Sequence, residues 1–306
     1  MLYSPTVVFA AGRYRMWYVG NSSTSRRADD HCLGYAESED GLHWRPHPDN
    51  PIATPRDLPW GSNWQTPCVL YDAAAGRYRM WFIATTVAHF DQHPGRQNSA
   101  TRMESALGYA ESEDGLAWRI HPRPVYPSGR GPCVLPVPGG GYRMWMCSRP
   151  AGDVPWDQLY QNIYEFASPD GLAWTRRDAP AITPAGERHS CVYPCVREWR
   201  GAWLMWYGAH IAGNRFAVYG ARSADGHTWT TEPGGPVLPP SGVAHAFDGR
   251  YTSTPCVLIE RDRWLLYYSG RSLTDEYHAG DGTIKRDTCG VYHGLGVAVL
   301  PGGPPG

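Results

Sequence analysis

The chain has 306 residues, 42% hydrophobic and 19% charged, enough length and apolar content to bury a large core rather than stay disordered. Its 28 Lys plus Arg against 29 Asp plus Glu leave a net charge of -1, which argues against a polyanion such as nucleic acid as partner. No apolar run approaches the roughly 18 residues of a membrane span, and the N-terminal Val7–Ala11 stretch is too short and lacks the basic flank of a signal peptide, so a cytoplasmic location is expected.

The 35 Gly, 28 Pro, 14 Trp and 19 Tyr point to many short strands joined by tight turns. In chain order, the first predicted strand contains Pro5-Thr6-Val7-Val8 and the second Arg15-Met16-Trp17-Tyr18. The third holds Gly34-Tyr35-Ala36-Glu37-Ser38, and an Asp-Gly turn then leads to Trp44. The set recurs. Its proline returns at Pro67, Pro132, Pro194 and Pro255, each time at an interval of 61 to 65 residues. The aromatic strand returns around Trp81, Trp145, Trp206 and Tyr267, and the Ser-x-Asp-Gly-x-x-Trp unit ends at Trp118, Trp174 and Trp229. Asp-Gly supplies the positive φ a tight turn needs, so Asp40, Asp114, Asp170 and Asp225 are expected to be turn formers.

Five repeats of four antiparallel strands predict an all-β, five-bladed β-propeller filling residues 1–306 as one domain. The fifth unit lacks the closing Asp-Gly-x-x-Trp strand, and nothing precedes Leu2 to replace it, so the last blade is expected to be incomplete. Cys68, Cys133, Cys195 and Cys256 share one repeat position and are expected to be small buried hydrophobes around the axis. Cys32, Cys147 and Cys289 form no ligand-spaced set, so no zinc site is expected.

Strand alternation places the start of each first strand and the end of each second strand at one mouth. There the second strands end on Asn21, Thr85, Arg149, His210 and Arg271, a polar ring that a purely structural repeat does not need. Before the prolines stand Asn63, Trp64, His189, Tyr193 and Tyr251, and also Glu187 and Asp248, each seven residues ahead of its proline. Glu165 is taken to replace the glycine seen at 34, 108 and 296, which marks it as a purposeful carboxylate. The insertions at 85–105, 150–162 and 271–293 lie on the same side. Their His and Asp residues would suit a structural divalent cation such as calcium, but no spacing demands a metal or cofactor.

The repeated Pro-x-Val-Leu, Tyr-Arg-Met-Trp-Tyr and Gly-Tyr-Ala-x-Ser-x-Asp-Gly-x-x-Trp segments, taken over nearly the whole chain, resemble the arabinanase, levanase and invertase superfamily, that is, glycoside hydrolase families 43 and 32. The resemblance implies carboxylate acid/base cleavage of a furanoside or related small glycoside at the propeller centre. The family's innermost-strand acid is absent here: the chain has Tyr3-Ser4-Pro5 in the first unit. Asp248, Glu187 and Glu165 are therefore catalytic candidates from the repeat alone, with Asn63, Trp64, Arg149, His189, Tyr193, His210, Tyr251 and Arg271 as substrate-binding candidates. Two other readings stay open. One is a specialised-metabolism enzyme performing elimination, cyclisation or group transfer on an anionic or polyhydroxylated substrate. The other is a non-catalytic sugar-binding propeller that would stack ligands on Trp64, Trp156 and Tyr251.

Overall fold

The computed structural model describes residues 1–21, 31–85, 105–148, 161–287 and 292–301. Each sequence repeat is one antiparallel unit. Unit 1 holds β1 (Leu2–Ala10), β2 (Arg13–Gly20), β3 (Cys32–Ser38) and β4 (Arg45–Pro46). Unit 2 holds β5 (Trp64–Asp72), β6 (Arg77–Thr85), β7 (Ser105–Ser112) and β8 (Arg119–Ile120). Unit 3 holds β9 (Arg130–Pro136), β10 (Tyr142–Ser148), β11 (Asn162–Ser168) and β12 (Thr175–Ile182). Unit 4 holds β13 (Val192–Trp199), β14 (Ala202–Ile211), β15 (Arg215–Ser223) and β16 (Thr230–Thr231). Unit 5 pairs β17 (Tyr251–Ile259) and β18 (Arg263–Arg271) with β21 (Gly294–Pro301), after a side hairpin of β19 (Glu276–His278) and β20 (Ile284–Arg286). One parallel bridge, Phe216 to Tyr251, joins units 4 and 5 into a seven-stranded sheet. No helix among the described residues is long and apolar enough to cross a membrane.

The first strands pack side by side in cyclic order: β1 on β5, β5 on β9, β9 on β13, β13 on β17, and β17 back on β1. Backbone donors tie the cycle together. Val69 N–H donates to Thr6 Oγ1 (3.2 Å), Val134 N–H to Cys68 Sγ (3.3 Å) and Val196 N–H to Cys133 Sγ (3.1 Å). Val257 N–H donates to Cys195 Sγ (3.2 Å), and Val7 N–H closes the ring on Cys256 Sγ (3.3 Å). The cysteines are thus more than apolar filler: each thiol accepts the N–H that its neighbour's first strand turns toward it, and Thr6 does the same in unit 1. All four are free thiols, as are Cys32, Cys147 and Cys191. Cys289 lies outside the described residues.

The Asp-Gly turns form the outer tie. In unit 1 Asp40 Oδ1 accepts the Leu42 and His43 N–H groups (both 2.8 Å) and Ser38 Oγ accepts Gly41 N–H (2.9 Å); Asp114, Asp170 and Asp225 repeat the pattern. The turn glycines sit at φ of +73° to +81°. Three of their carbonyls accept from the preceding unit's aromatic strand: Trp17 Nε1 donates to Gly115 O (2.7 Å), Trp81 Nε1 to Gly171 O (2.8 Å) and Tyr267 Oη to Gly41 O (2.9 Å), whereas Gly226 O accepts from Trp229 Nε1 of its own unit (3.0 Å). The closing tryptophans pack edge-on over the same rings, Trp118 on Trp17, Trp174 on Trp81, Trp229 on Trp145 and Trp44 on Tyr267. These contacts place the aromatic-strand rings Trp17, Trp81, Trp145 and Tyr267 between units, fully buried, beneath the partly buried closing tryptophans.

Candidate functional site at the axial mouth

Every first strand is bulged just ahead of its proline. The bulge residue takes a left-handed backbone: Ser4 (φ 52°), Thr66 (38°), Gly131 (59°), Tyr193 (55°) and Thr254 (48°). Four of these are not glycine, a conformation costing roughly 1 to 3 kcal/mol apiece and usually retained where it orients groups for function. In unit 3 glycine is required, because a Cβ at Gly131 would stand 2.7 Å from the Tyr193 ring and 2.8 Å from its Cα. Together with the prolines, the five bulges make a narrow neck on the axis.

Above the neck lies an aromatic and cationic rim. Tyr3 Oη bonds His31 Nδ1 (2.8 Å), and the Tyr3 ring stacks on Tyr292 at 5.4 Å. Tyr292 Oη donates to Ser253 Oγ (3.1 Å), while Tyr251 packs edge-on against the Tyr292 ring and donates to Asn214 Oδ1 (2.9 Å). Tyr193 leans on Phe216, which also holds the His210 ring at 4.3 Å. His210 Nδ1 bonds Ser190 Oγ (3.0 Å), and His189 N–H donates to the His210 carbonyl (2.8 Å). Desolvation by these neighbours, reinforced by the positive charge of Arg130 and by His189, pushes His210 down to about 4, although part of the residue faces solvent. Arg130 itself is 7% exposed.

The candidate residues divide. His189, Tyr193, His210 and Tyr251 come together on this rim, and Arg271 joins them through the Tyr251–Arg271 register pair and an ion pair with Asp275 (4.0 Å). Glu187 and Asp248 each meet a phenol of their own unit, on different strands: Tyr219 Oη of β15 donates to Glu187 Oε1 (2.5 Å) and Tyr268 Oη of β18 to Asp248 Oδ2 (2.9 Å), with Glu187 exposed and Asp248 partly buried. Arg188 lies over the Tyr207 and Tyr219 rings beside Glu187. Arg149, Trp156 and most of the insertions at 85–105 and 150–162 lie outside the described residues.

Three expectations need correction. Trp64 offers no face to a ligand: it is fully buried against Phe82, and its Nε1 donates to Thr54 O (2.9 Å). Asn63 is equally buried and accepts the Thr85 N–H at Oδ1 (2.8 Å), a strand-end clasp rather than a sugar contact. Glu165 does not replace the repeat glycine. Trp145 pairs with Glu165 as Trp17 pairs with Tyr35 and Trp81 with Tyr109, so the residue at the glycine position is Tyr164. In units 1 and 2 an arginine bonds the tyrosine hydroxyl, which in turn bonds Glu37 or Glu111. In unit 3 the Glu165 carboxylate takes both places, accepting from Arg143 (2.7 Å) and bonding His227 Nδ1 of unit 4 (2.6 Å). It belongs to a groove between units 3 and 4 that includes Ser168 and Pro169 of the Asp-Gly turn segment, not to the rim.

Sequence reasoning missed two mouth groups. Arg130 stands two residues before its proline, where the other units have Tyr3, Gln65, Val192 and Ser253; comparing that one column would have exposed it. Asp287, 4% exposed, lies within the 271–293 insertion beside His293. Among the described residues no group of three His, Cys, Asp or Glu is arranged to hold a metal.

No family model matches the chain. Two uncharacterized proteins of Mycobacterium tuberculosis, from strains CDC 1551 / Oshkosh and ATCC 25618 / H37Rv, are each 31% identical to it over 179 residues, 55% of this chain. The match spans 57% of the length of these relatives. Among solved structures, an N-acetylgalactosamine deacetylase from F. plautii, in complex with blood group B trisaccharide, superposes with a TM-score of 0.70 at 15% identity over 98% of this chain and 89% of its own. A member of the GH130 family, described as mannoside phosphorylases that include glycoside hydrolases of β-1,2 mannosidic linkages, gives 0.68 at 16% identity over 100% and 85%. The GH43_1 enzyme from Xanthomonas citri, complexed with xylose, gives 0.64 at 14% over 93% and 90%. The chain therefore has the β-propeller fold of the family 43-like glycoside hydrolases.

Proposed function

We propose that the five units are the blades of one five-bladed propeller and that the chain is an enzyme acting on a furanoside or related small glycoside held over the axial mouth. Supporting the blade count are the cyclic packing of the first strands and the ring of thiol and threonine acceptors that returns from Cys256 to Val7. Carrying the function is one observation: the rim gathers phenols, imidazoles and a buried arginine on a strained neck, and the sequence sets Glu187 and Asp248 seven residues ahead of the prolines of consecutive units. Phenols and imidazoles suit a polyhydroxylated ligand, offering both stacking faces and hydrogen bonds.

Cleaving a glycosidic bond needs one carboxyl to protonate the leaving oxygen and one carboxylate to attack, or to activate water, at the anomeric carbon. We assign these two jobs to Glu187 and Asp248. Glu165 is assigned a structural role, because its carboxylate is spent on Arg143 and His227. Aryl glycosides tell the two jobs apart. The variant lacking the acid keeps its activity on a dinitrophenyl glycoside, whose leaving group needs no proton, whereas the variant lacking the base or nucleophile loses activity on every substrate. Full activity in both E187Q and D248N would refute the assignment.

A second reading is favoured by a specific observation. Arg130 and Arg271 bring positive charge to the mouth, and the five axial positions Tyr3, Gln65, Arg130, Val192 and Ser253 carry no carboxylate. An anionic sugar substrate undergoing elimination or group transfer fits that charge, and one fold supports many chemistries. R130K and R271A would then raise KM for an anionic substrate far more than for its neutral analogue; equal effects on both would count against it.

A further inference from the structure

Below the neck, the first strands carry a break in the repeat that the mouth does not use. Three residues past the proline the units place Val8, Leu70, Leu135 and Leu258, but unit 4 places Arg197. All five line an axial cavity of about 430 Å³, a volume within the range of small-molecule sites. Four units fill this position with an aliphatic side chain, so packing alone does not call for a cation.

The guanidinium is anchored but not neutralised. Its Nε donates to Val257 O (2.8 Å) and its Nη1 to Val196 O (2.7 Å), with Cys133 Sγ at 4.0 Å from Nη1. Among the described residues Nη2 has no partner and no carboxylate forms an ion pair with this arginine. The groups facing it are the thiols of Cys68, Cys133, Cys195 and Cys256. Arg197 is half-buried at the cavity wall; a partly desolvated cation without a counter-charge is still costly, and a ligand anion would relieve that cost.

We propose that this cavity is a second binding site, for an organic monoanion whose carboxylate meets Arg197 and whose apolar body lies against Phe9, Leu70, Leu135 and Leu258. The walls supply apolar area, and the arginine's remaining N–H groups supply the polar anchor that fixes the ligand's direction. The rival counter-charge is internal: the S–H groups of Cys133 and Cys256, together with Arg197, push the Cys195 thiol down.

The test is calorimetric titration of the full chain with octanoate, octanol and octylamine, paired with thermal melts. Octanoate is expected to saturate a single site and raise Tm, with octanol about tenfold weaker or worse, as befits loss of a charged hydrogen bond, and octylamine silent. R197L restores the residue type of the other units and is expected to weaken octanoate by about tenfold or more. L135W fills the cavity while leaving Arg197 in place, and is expected to abolish binding, which keeps the test decisive if R197L fails to fold. C195S removes the rival thiol and should bind octanoate at least as tightly. Absence of octanoate binding at millimolar concentration, equal affinity for octanol, or unchanged binding in R197L or L135W would overturn the proposal.

Discussion

Substituting Gly115 by alanine tests the contact through which one unit grips the next. Gly115 has a φ of +81°, where an L-residue costs roughly 1 to 2 kcal/mol. The new Cβ would stand 2.8 Å from Trp17 Cζ2, so the buried indole of unit 1 must move. That movement threatens the 2.7 Å bond from Trp17 Nε1 to the Gly115 carbonyl, and a buried donor left unpaired costs about 1 to 3 kcal/mol. The expected loss is about 3 kcal/mol in total. Gly76 isolates the backbone part: its φ is +62°, and a Cβ there meets nothing within 4 Å. G76A should therefore cost about 1 kcal/mol. Urea unfolding followed by both circular dichroism and tryptophan fluorescence measures the two, with coincident transitions licensing the comparison. A gap of about 2 kcal/mol is expected; equal losses in G115A and G76A would refute the claim that this turn is an inter-unit clasp.

Other outcomes follow from the same geometry. E165Q should lower stability by about 3 kcal/mol, the scale of breaking a buried ion pair, while leaving turnover per folded molecule intact; lost turnover at unchanged stability would restore Glu165 as a catalytic acid. His293 is 3% exposed, and burial with help from Arg271 lowers it from 6.5 to about 4. The unfolded chain then binds the extra proton first, so stability is full above pH 6.5 and falls as pH drops toward 4. That loss is about 3 kcal/mol, and H293Q should flatten this stretch of the stability–pH curve; an unchanged slope would count against a buried neutral imidazole. D248N and E187Q should leave Tm within a few degrees of the parent, since each loses only one phenol hydrogen bond.

Much of the fold was legible because several repeat positions meet the same kind of neighbour from one unit to the next. The proline marks the bulge, the aromatic strand meets the next Asp-Gly turn, and the thiol position meets the next first strand. In unit 5 the described strands are β17, β18 and β21, with β18 in the middle. The site was less so. Glu165 was misplaced by one residue because Tyr164-Glu165-Phe166 lacks the glycine that anchors units 1 and 2; counting back from Ser168 gives the observed register. Trp64 precedes its proline as a mouth residue should, yet its ring turns inward onto Phe82, a choice that no spacing encodes. The thiols' role as acceptors needed the inter-unit geometry, since sequence shows only that they recur.

The most direct measurement is product detection by mass spectrometry and NMR with aryl α-L-arabinofuranoside, β-D-xyloside, β-D-fructofuranoside and β-D-galactofuranoside, run on the parent chain beside D248N and E187Q. Release of the aglycone by the parent, lost or selectively impaired in the two variants, is the expected result. Silence of the folded parent on all four substrates, or equal release by parent and both variants, would contradict glycoside cleavage by Glu187 and Asp248 at the axial mouth.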